Sequence, residues 1–172
     1  TLAKVNLSIK DIKKIVKKTN ACLVWGGSLG LAPADDKIIQ VERILSLDPE
    51  AQLLASILSK KLSVNATHIL IDISYGPGAK ISDRTGAEKL KHKFEQIARR
   101  LNLNLIVTLT NGSQPVGNGI GTNLEMLDVI SILNQEKNRP LCLEKRSLFL
   151  AATLLSFVTG KSYKETEIIT KG

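Results

Sequence analysis

Four side chains, Asp48, Ser56, Lys60 and Lys80, stand at spacings that could do chemistry on a polar, anionic substrate. Asp48 leads Asp48-Pro49-Glu50, which reads as a helix start with Asp as N-cap, Pro in the first helical position and Glu in the first turn. Ser56 and Lys60 follow one turn apart on a shared helix face. Lys80 closes a glycine-rich turn, Gly76-Pro77-Gly78-Ala79-Lys80. A carboxyl group can protonate a leaving group, a hydroxyl and an ammonium can hold it, and a second ammonium can neutralise an anion. An N-cap carboxylate ordinarily titrates low because backbone N–H groups stabilise its charge. Acid duty at neutral pH would therefore require desolvation or a nearby anion such as a substrate phosphate. The plainer readings stand beside these. Asp48 serves as a cap; Ser56, Ser59, Lys60 and Ser63 form the wet face of an amphipathic helix; the glycine turn is an ordinary βα connection.

The elements that must position these groups alternate between helix and strand. Ser8, with Asp11 three residues on, opens a helical pattern of Ile9, Ile12, Ile15 and Val16 that runs to about Thr19. Cys22-Leu23-Val24-Trp25 reads as a short buried strand, and Gly26 to Asp36 as a loop. The helix after Asp48 carries Leu53, Leu54, Ile57, Leu58 and Leu62 to about Val64. His68 to Ile73 is a strand, Thr85 to Leu101 a helix built on Ala87, Leu90, Phe94 and Ile97, and Leu103 to Leu109 a second strand. Thr122 and Glu125 form a capping box for a helix to about Leu133. Leu143 to Val158 is a further helix stopped near Gly160, and Ser162 with Glu165 caps a last one. The class is therefore α/β, strands alternating with helices, with no internal repeat.

Other candidates have structural readings. Gly117-Asn118-Gly119-Ile120-Gly121 resembles a dinucleotide fingerprint but departs from its spacing; close helix–strand packing explains the glycines equally well. His68 and His92 lack metal-ligand company, so no metal site is expected. Cys22 and Cys142 sit in apolar surroundings and read as buried, reduced thiols of a cytoplasmic protein.

With 172 residues, 43% of them hydrophobic and 23% charged, the chain has the make-up of one globular domain. It lacks an apolar run of about 18 residues, so no membrane span is expected. A visible secretory signal is also lacking. The net charge of +8 suits phosphates, but Lys10, Lys13, Lys14, Lys17 and Lys18 crowd one early helix and read as a solvated face. Aromatics at 3% are too few for single-strand stacking, and no nucleic-acid partner is expected.

Five segments, in order, resemble the thymidine phosphorylase/AMP phosphorylase family, closest to its archaeal-type branch. They are Val24 to Asp36, Leu45 to Glu50, Leu54 to Lys61, Gly76 to Lys80 and Gly112-Ser113-Gln114-Pro115. The resemblance implies phosphorolysis of a nucleoside or nucleotide to free base and pentose 1-phosphate. Inorganic phosphate is the co-substrate, and there is no cofactor. It matches Asp48 to the family's proton donor, and Ser56 and Lys80 to substrate-binding positions. Ser56 with Lys60 is similar to the serine and lysine that hold the pyrimidine. Arg43 resembles a base-binding arginine, although the stretch between it and Ser56 is shorter here. The fold implied is a partial α/β domain of that fold plus a helix of the α domain, with about residues 40–66 on the helical, base-binding side. The family is typically a homodimer. Its phosphate-binding stretch lies upstream of the position of Thr1, so the chain is expected to be a central fragment without phosphorolytic activity of its own. The alternatives kept open are a nucleoside 5′-monophosphate phosphorylase and a noncatalytic phosphate- or nucleotide-binding module.

Overall fold

The computed structural model describes residues 4–26, 29–45 and 49–171, Arg43 by its backbone alone. The chain divides between Ala66 and Thr67 into two compact units.

The first unit is helical. α1 (Ile9–Thr19) begins where Ser8 accepts the Asp11 backbone N–H at 3.2 Å and donates its hydroxyl to the Asp11 carboxylate at 2.6 Å, as the capping pattern predicts. Its five lysines are exposed, the solvated face expected of them. Cys22 to Trp25 is not a strand: the segment is irregular, with Leu23 61% and Trp25 60% exposed, although the Trp25 N–H reaches the Val5 carbonyl at 2.9 Å. One backbone hydrogen bond to Val5 does not make a ladder, and an apolar run becomes a strand only where a neighbouring strand takes up its N–H and carbonyl groups in series. α2 (Pro33–Leu45) is a second departure, because the expected loop ends at Pro33 rather than Asp36. Pro33 occupies the first helical position, where its missing N–H costs nothing, and Asp35 and Asp36 meet the positive end of the helix dipole. α3 (Glu50–Ser63) begins one residue later than expected. The Pro49 carbonyl accepts the Gln52 and Leu53 N–H groups at 3.0 and 3.1 Å, which makes Pro49 the N-cap. Leu54 and Leu58, one turn apart, are its buried side chains.

The second unit has the alternation expected of an α/β class. β1 (Ile69–Tyr75) pairs in parallel with β2 (Leu105–Asn111), Ile69 opposite Leu105 and Tyr75 opposite Asn111. Between them runs α4 (Arg84–Arg100), capped by Asp83, whose side chain accepts the Gly86 N–H at 2.9 Å. Ala87, Leu90, Phe94 and Ala98 recur at helical spacing and are buried where α4 meets both strands. Ile69, Ile71 and Ile73 alternate on the buried face of β1, and Val107 is buried on β2. Phe94, 1% exposed, anchors this core; burying such a ring contributes about 1.5–3 kcal/mol.

α5 (Thr122–Leu133), α6 (Leu141–Thr159) and α7 (Tyr163–Lys171) complete the unit. Thr122 does not cap α5: Gly121 is the N-cap, and Glu125 reaches back to accept its N–H at 3.0 Å. The box at α7 forms as expected, Ser162 N–H to Glu165 at 2.9 Å and Glu165 N–H to Ser162 at 3.4 Å. α7 is fastened to α6 through Thr166, fully buried, whose hydroxyl donates to the Ala152 carbonyl at 3.0 Å. Cys142 is exposed and Cys22 half-buried, so neither is the buried thiol expected: Cys22 lies in the irregular segment, and Cys142 sits near the start of α6 beside a loop. Among the described residues, no helix is long and apolar enough to cross a membrane.

Candidate functional site

The polar face of α3 is more than a wet stripe. Gln52, Ser56 and Lys60 recur every fourth residue, and all three converge on one carboxylate, that of Asp35 in the first turn of α2. Gln52 donates to Asp35 Oδ1 at 2.9 Å. Ser56 donates its hydroxyl to Oδ2 at 2.8 Å, and Lys60 Nζ lies 2.9 Å from the same oxygen. Lys60 also donates to Ser56 Oγ at 3.2 Å. Asp35 is 6% exposed, and a carboxylate buried to that degree is retained only when paired and hydrogen-bonded. Burial by itself would push its carboxyl up. The Lys60 and Ser56 hydrogen bonds, the Lys60 charge and the Gln52 amide outweigh that and hold it below the usual carboxylate range.

The donor count fixes what the pair can offer. An ammonium has three N–H donors. Asp35 and Ser56 take two from Lys60, leaving one. The Ser56 hydroxyl gives its proton to Asp35 and accepts from Lys60, so one lone pair remains. Lys60 and Ser56 together thus present one charged donor and one acceptor, complementary to a ligand edge with a carbonyl oxygen beside an N–H. Lys60 borders a cavity of about 610 Å³ also lined by Trp25, Leu31, Ala32, Asp36 and Ile39. Its walls combine the Trp25 indole and the aliphatic Leu31, Ala32 and Ile39 with the polar Asp36, Gln40 and Lys60, a mixture that a polar heterocycle would suit.

The turn Gly76 to Lys80 stands at the carboxyl end of β1, with Lys80 exposed. The Ala79 N–H bonds the Gly76 carbonyl at 3.0 Å, and the Gly76 N–H bonds the Ile81 carbonyl at 2.9 Å. Gly76 has φ +145, and a Cβ there would lie 2.7 Å from Ser113 Oγ and 2.9 Å from Ser113 N. Only glycine lets this turn press against the loop after β2. That loop is itself folded by Asn111, whose side-chain oxygen accepts the Ser113 N–H at 2.9 Å and hydroxyl at 2.6 Å. Arg146 of α6 ties the two strand ends, donating to Ser74 Oγ at 3.2 Å and to the Asn111 carbonyl.

The Gly117–Gly121 loop is structural. The Asn118 and Gly119 N–H groups, which would cradle a phosphate in a dinucleotide site, donate to Asp128 Oδ2 at 2.7 and 2.8 Å. A Cβ on Gly119 would lie 2.5 Å from the Leu124 backbone, so close packing accounts for that glycine. His68 meets Phe157 edge-on, and His92, exposed on α4, lies 3.0 Å from the Gln96 amide.

Of the residues singled out in the sequence, the structure joins Ser56 and Lys60 in one network and sets Lys80 on the strand-end turn. Asp48 lies outside the described residues, as does the side chain of Arg43, whose backbone belongs to α2. Asp35 and Gln52 are site residues that the sequence reading missed. Gln52 had a signal, since it continues the Ser56–Lys60 spacing backward by one turn; Pro33 with Asp35 and Asp36 signals a helix start but not that its carboxylate meets α3.

No family model matches the chain. Relatives similar to the chain include proteins that bear the name putative thymidine phosphorylase. The protein of Ralstonia nicotianae is 47% identical over 157 residues, covering 91% of this chain and 31% of the relative. That of a Bradyrhizobium species is 48% identical over 156 residues, 91% of this chain and 30% of the relative. That of Legionella pneumophila is 48% identical over 155 residues, 90% of this chain and 30% of the relative. The chain thus spans about 30% of the length of the curated relatives it matches. The resemblance expected from the five motifs holds over nine-tenths of the chain as homology.

Proposed function

We propose that this segment, homologous over nine-tenths of its length to proteins named putative thymidine phosphorylase, is the base-holding part of a nucleoside phosphorylase that takes a pyrimidine nucleoside. The observation that carries the reading is the Asp35-anchored pair of Ser56 and Lys60. It offers one acceptor and one charged donor, as the N–H and carbonyl edge of a pyrimidine-dione requires.

The reaction asks for little covalent work from the protein. A phosphate oxygen attacks the anomeric carbon while the bond from that carbon to the base nitrogen breaks. The bonding electrons leave with the base, and the sugar passes through an oxocarbenium-like state. The remaining Lys60 N–H, on the base carbonyl, meets the negative charge as it develops, which lowers the barrier where binding alone would not. Asp48, by its resemblance to the family's proton donor, delivers the proton that the departing base takes up; free base and pentose 1-phosphate result. Lys80 supplies a second cation toward phosphate-bearing parts of the substrate. Residues of about 40–66 belong to the helical, base-binding side, and the whole enzyme acts in the cytoplasm as a homodimer without a cofactor.

The test is phosphate-dependent base release by a full-length protein carrying this segment, with thymidine, uridine and AMP compared. Base and pentose 1-phosphate in equal amounts from a pyrimidine nucleoside support the reading. Turnover of AMP alone would instead assign a nucleoside 5′-monophosphate phosphorylase, with Lys80 toward the 5′-phosphate. Binding without turnover of any of the three would leave a noncatalytic module.

A further inference from the structure

We propose that Asp35 is the positioning residue of the base-holding pair: its buried carboxylate fixes both the Lys60 ammonium and the direction of the Ser56 hydroxyl. The inference rests on the base-holding role assigned above to Ser56 and Lys60.

The geometry separates the two carboxylate oxygens by task. Gln52 holds Oδ1, which sets the plane of the group, and Oδ2 is left to receive Ser56 and Lys60 together. A carboxylate only accepts, so the Ser56 proton must point at Asp35 and its oxygen must meet the ligand as an acceptor. The same oxygen restrains the ammonium of a side chain with four rotatable bonds that is 39% exposed and otherwise free to sweep through solvent. A device that merely stapled α2 to α3 would not need this chemistry, because apolar side chains of the same volume do it at lower desolvation cost. The two donors on Oδ2 are instead the two groups assigned above to hold the base, and one of them, Lys60, borders the cavity.

Asparagine at this position keeps the shape but brings an amide N–H₂. It cannot accept on both sides, and it frees the ammonium, the Ser56 proton or both. The experiment uses a full-length protein carrying this segment, thymidine and phosphate as substrates, and thymine as the titrated base. Wild type is compared with D35N, K60M, S56A and D35N/K60M. D35N is expected to raise the thymidine KM and the thymine Kd at least ~10-fold while leaving the phosphate KM unchanged. D35N/K60M is expected to match K60M within about 3-fold, since the two residues act as one device.

Losses that multiply in the double variant overturn the proposal. So does a D35N protein with wild-type KM values and only a lower kcat, the mark of a smaller folded fraction. K60M and S56A proteins with unchanged turnover and thymine affinity overturn the base-holding reading and this inference together. Impaired K60M with an unimpaired D35N overturns this inference alone. Should D35N not fold, the Lys60 ammonium of the wild-type protein decides the matter by lysine 15N NMR. A restrained, slowly exchanging ammonium supports the proposal, and a freely rotating, fast-exchanging one overturns it.

Discussion

Lys60→Met keeps most of the side-chain stem and deletes the charge, leaving Asp35, 6% exposed, with Ser56 and Gln52 as its remaining donors. A hydrogen bond to a charged group contributes about 1.5–3 kcal/mol, and breaking a fully buried pair costs about 3–5 kcal/mol. The lysine is 39% exposed, so solvent screens part of the attraction, and two donors survive. The expected cost at pH 7 is therefore about 1–2 kcal/mol. With a urea slope of about 2 kcal/mol/M, the midpoint should fall by about 0.5–1 M. The pH dependence has a definite sign. The Asp35 carboxyl is held below its usual range in the folded chain, so the stabilisation from its partners is fully present above the unfolded value of about 3.9. It is lost as pH falls through the folded one. The gap between wild type and Lys60→Met should thus be widest near neutrality and close below about pH 4. Urea unfolding at a series of pH values measures it, with fluorescence of the single tryptophan, Trp25, reporting on the unit that holds the pair. An unchanged midpoint at pH 7, or a gap that widens on acidification, would refute the reasoning.

Three further outcomes follow from packing and loop geometry. Asp128→Ala removes the acceptor of the Asn118 and Gly119 N–H groups and should cost about 1–3 kcal/mol, with faster hydrogen exchange at those two amides as the local signature. Gly119→Ala drives a methyl to 2.5 Å from the Leu124 backbone, where no rotamer change relieves it, and should lower the melting temperature by an amount equivalent to about 1–3 kcal/mol or more. Phe94→Ala empties a site that is 1% exposed and should cost about 3–5 kcal/mol by denaturant unfolding, the largest loss of the three.

Periodicity carried most of the fold. The α4 face of Ala87, Leu90 and Phe94 and the alternating isoleucines of β1 are visible in sequence because burial imposes their spacing directly. Elements whose apolar content is ambiguous were less legible. Cys22 to Trp25 is apolar enough for a strand but forms no strand ladder among the described residues, and pairing is a tertiary fact. α2 was hidden because glycines and a proline precede it, and the same proline both ends the loop and starts the helix. In the candidate site, Ser56 and Lys60 were readable from their one-turn spacing along α3. Asp35 was not, since the carboxylate that organises them lies on another helix, and sequence spacing says nothing of which helices meet. The glycines of residues 117–121 show the converse: a ligand-like pattern whose N–H groups are consumed by Asp128.

The account turns on whether Ser56 and Lys60 touch the base. A crystal structure of a full-length protein carrying this segment, with thymine bound, measures that contact directly. The base carbonyl oxygen is expected within about 3.2 Å of Lys60 Nζ, with the ring N–H directed at Ser56 Oγ. Thymine bound elsewhere, with the Lys60 ammonium on Asp35 and no contact to the base, would contradict it.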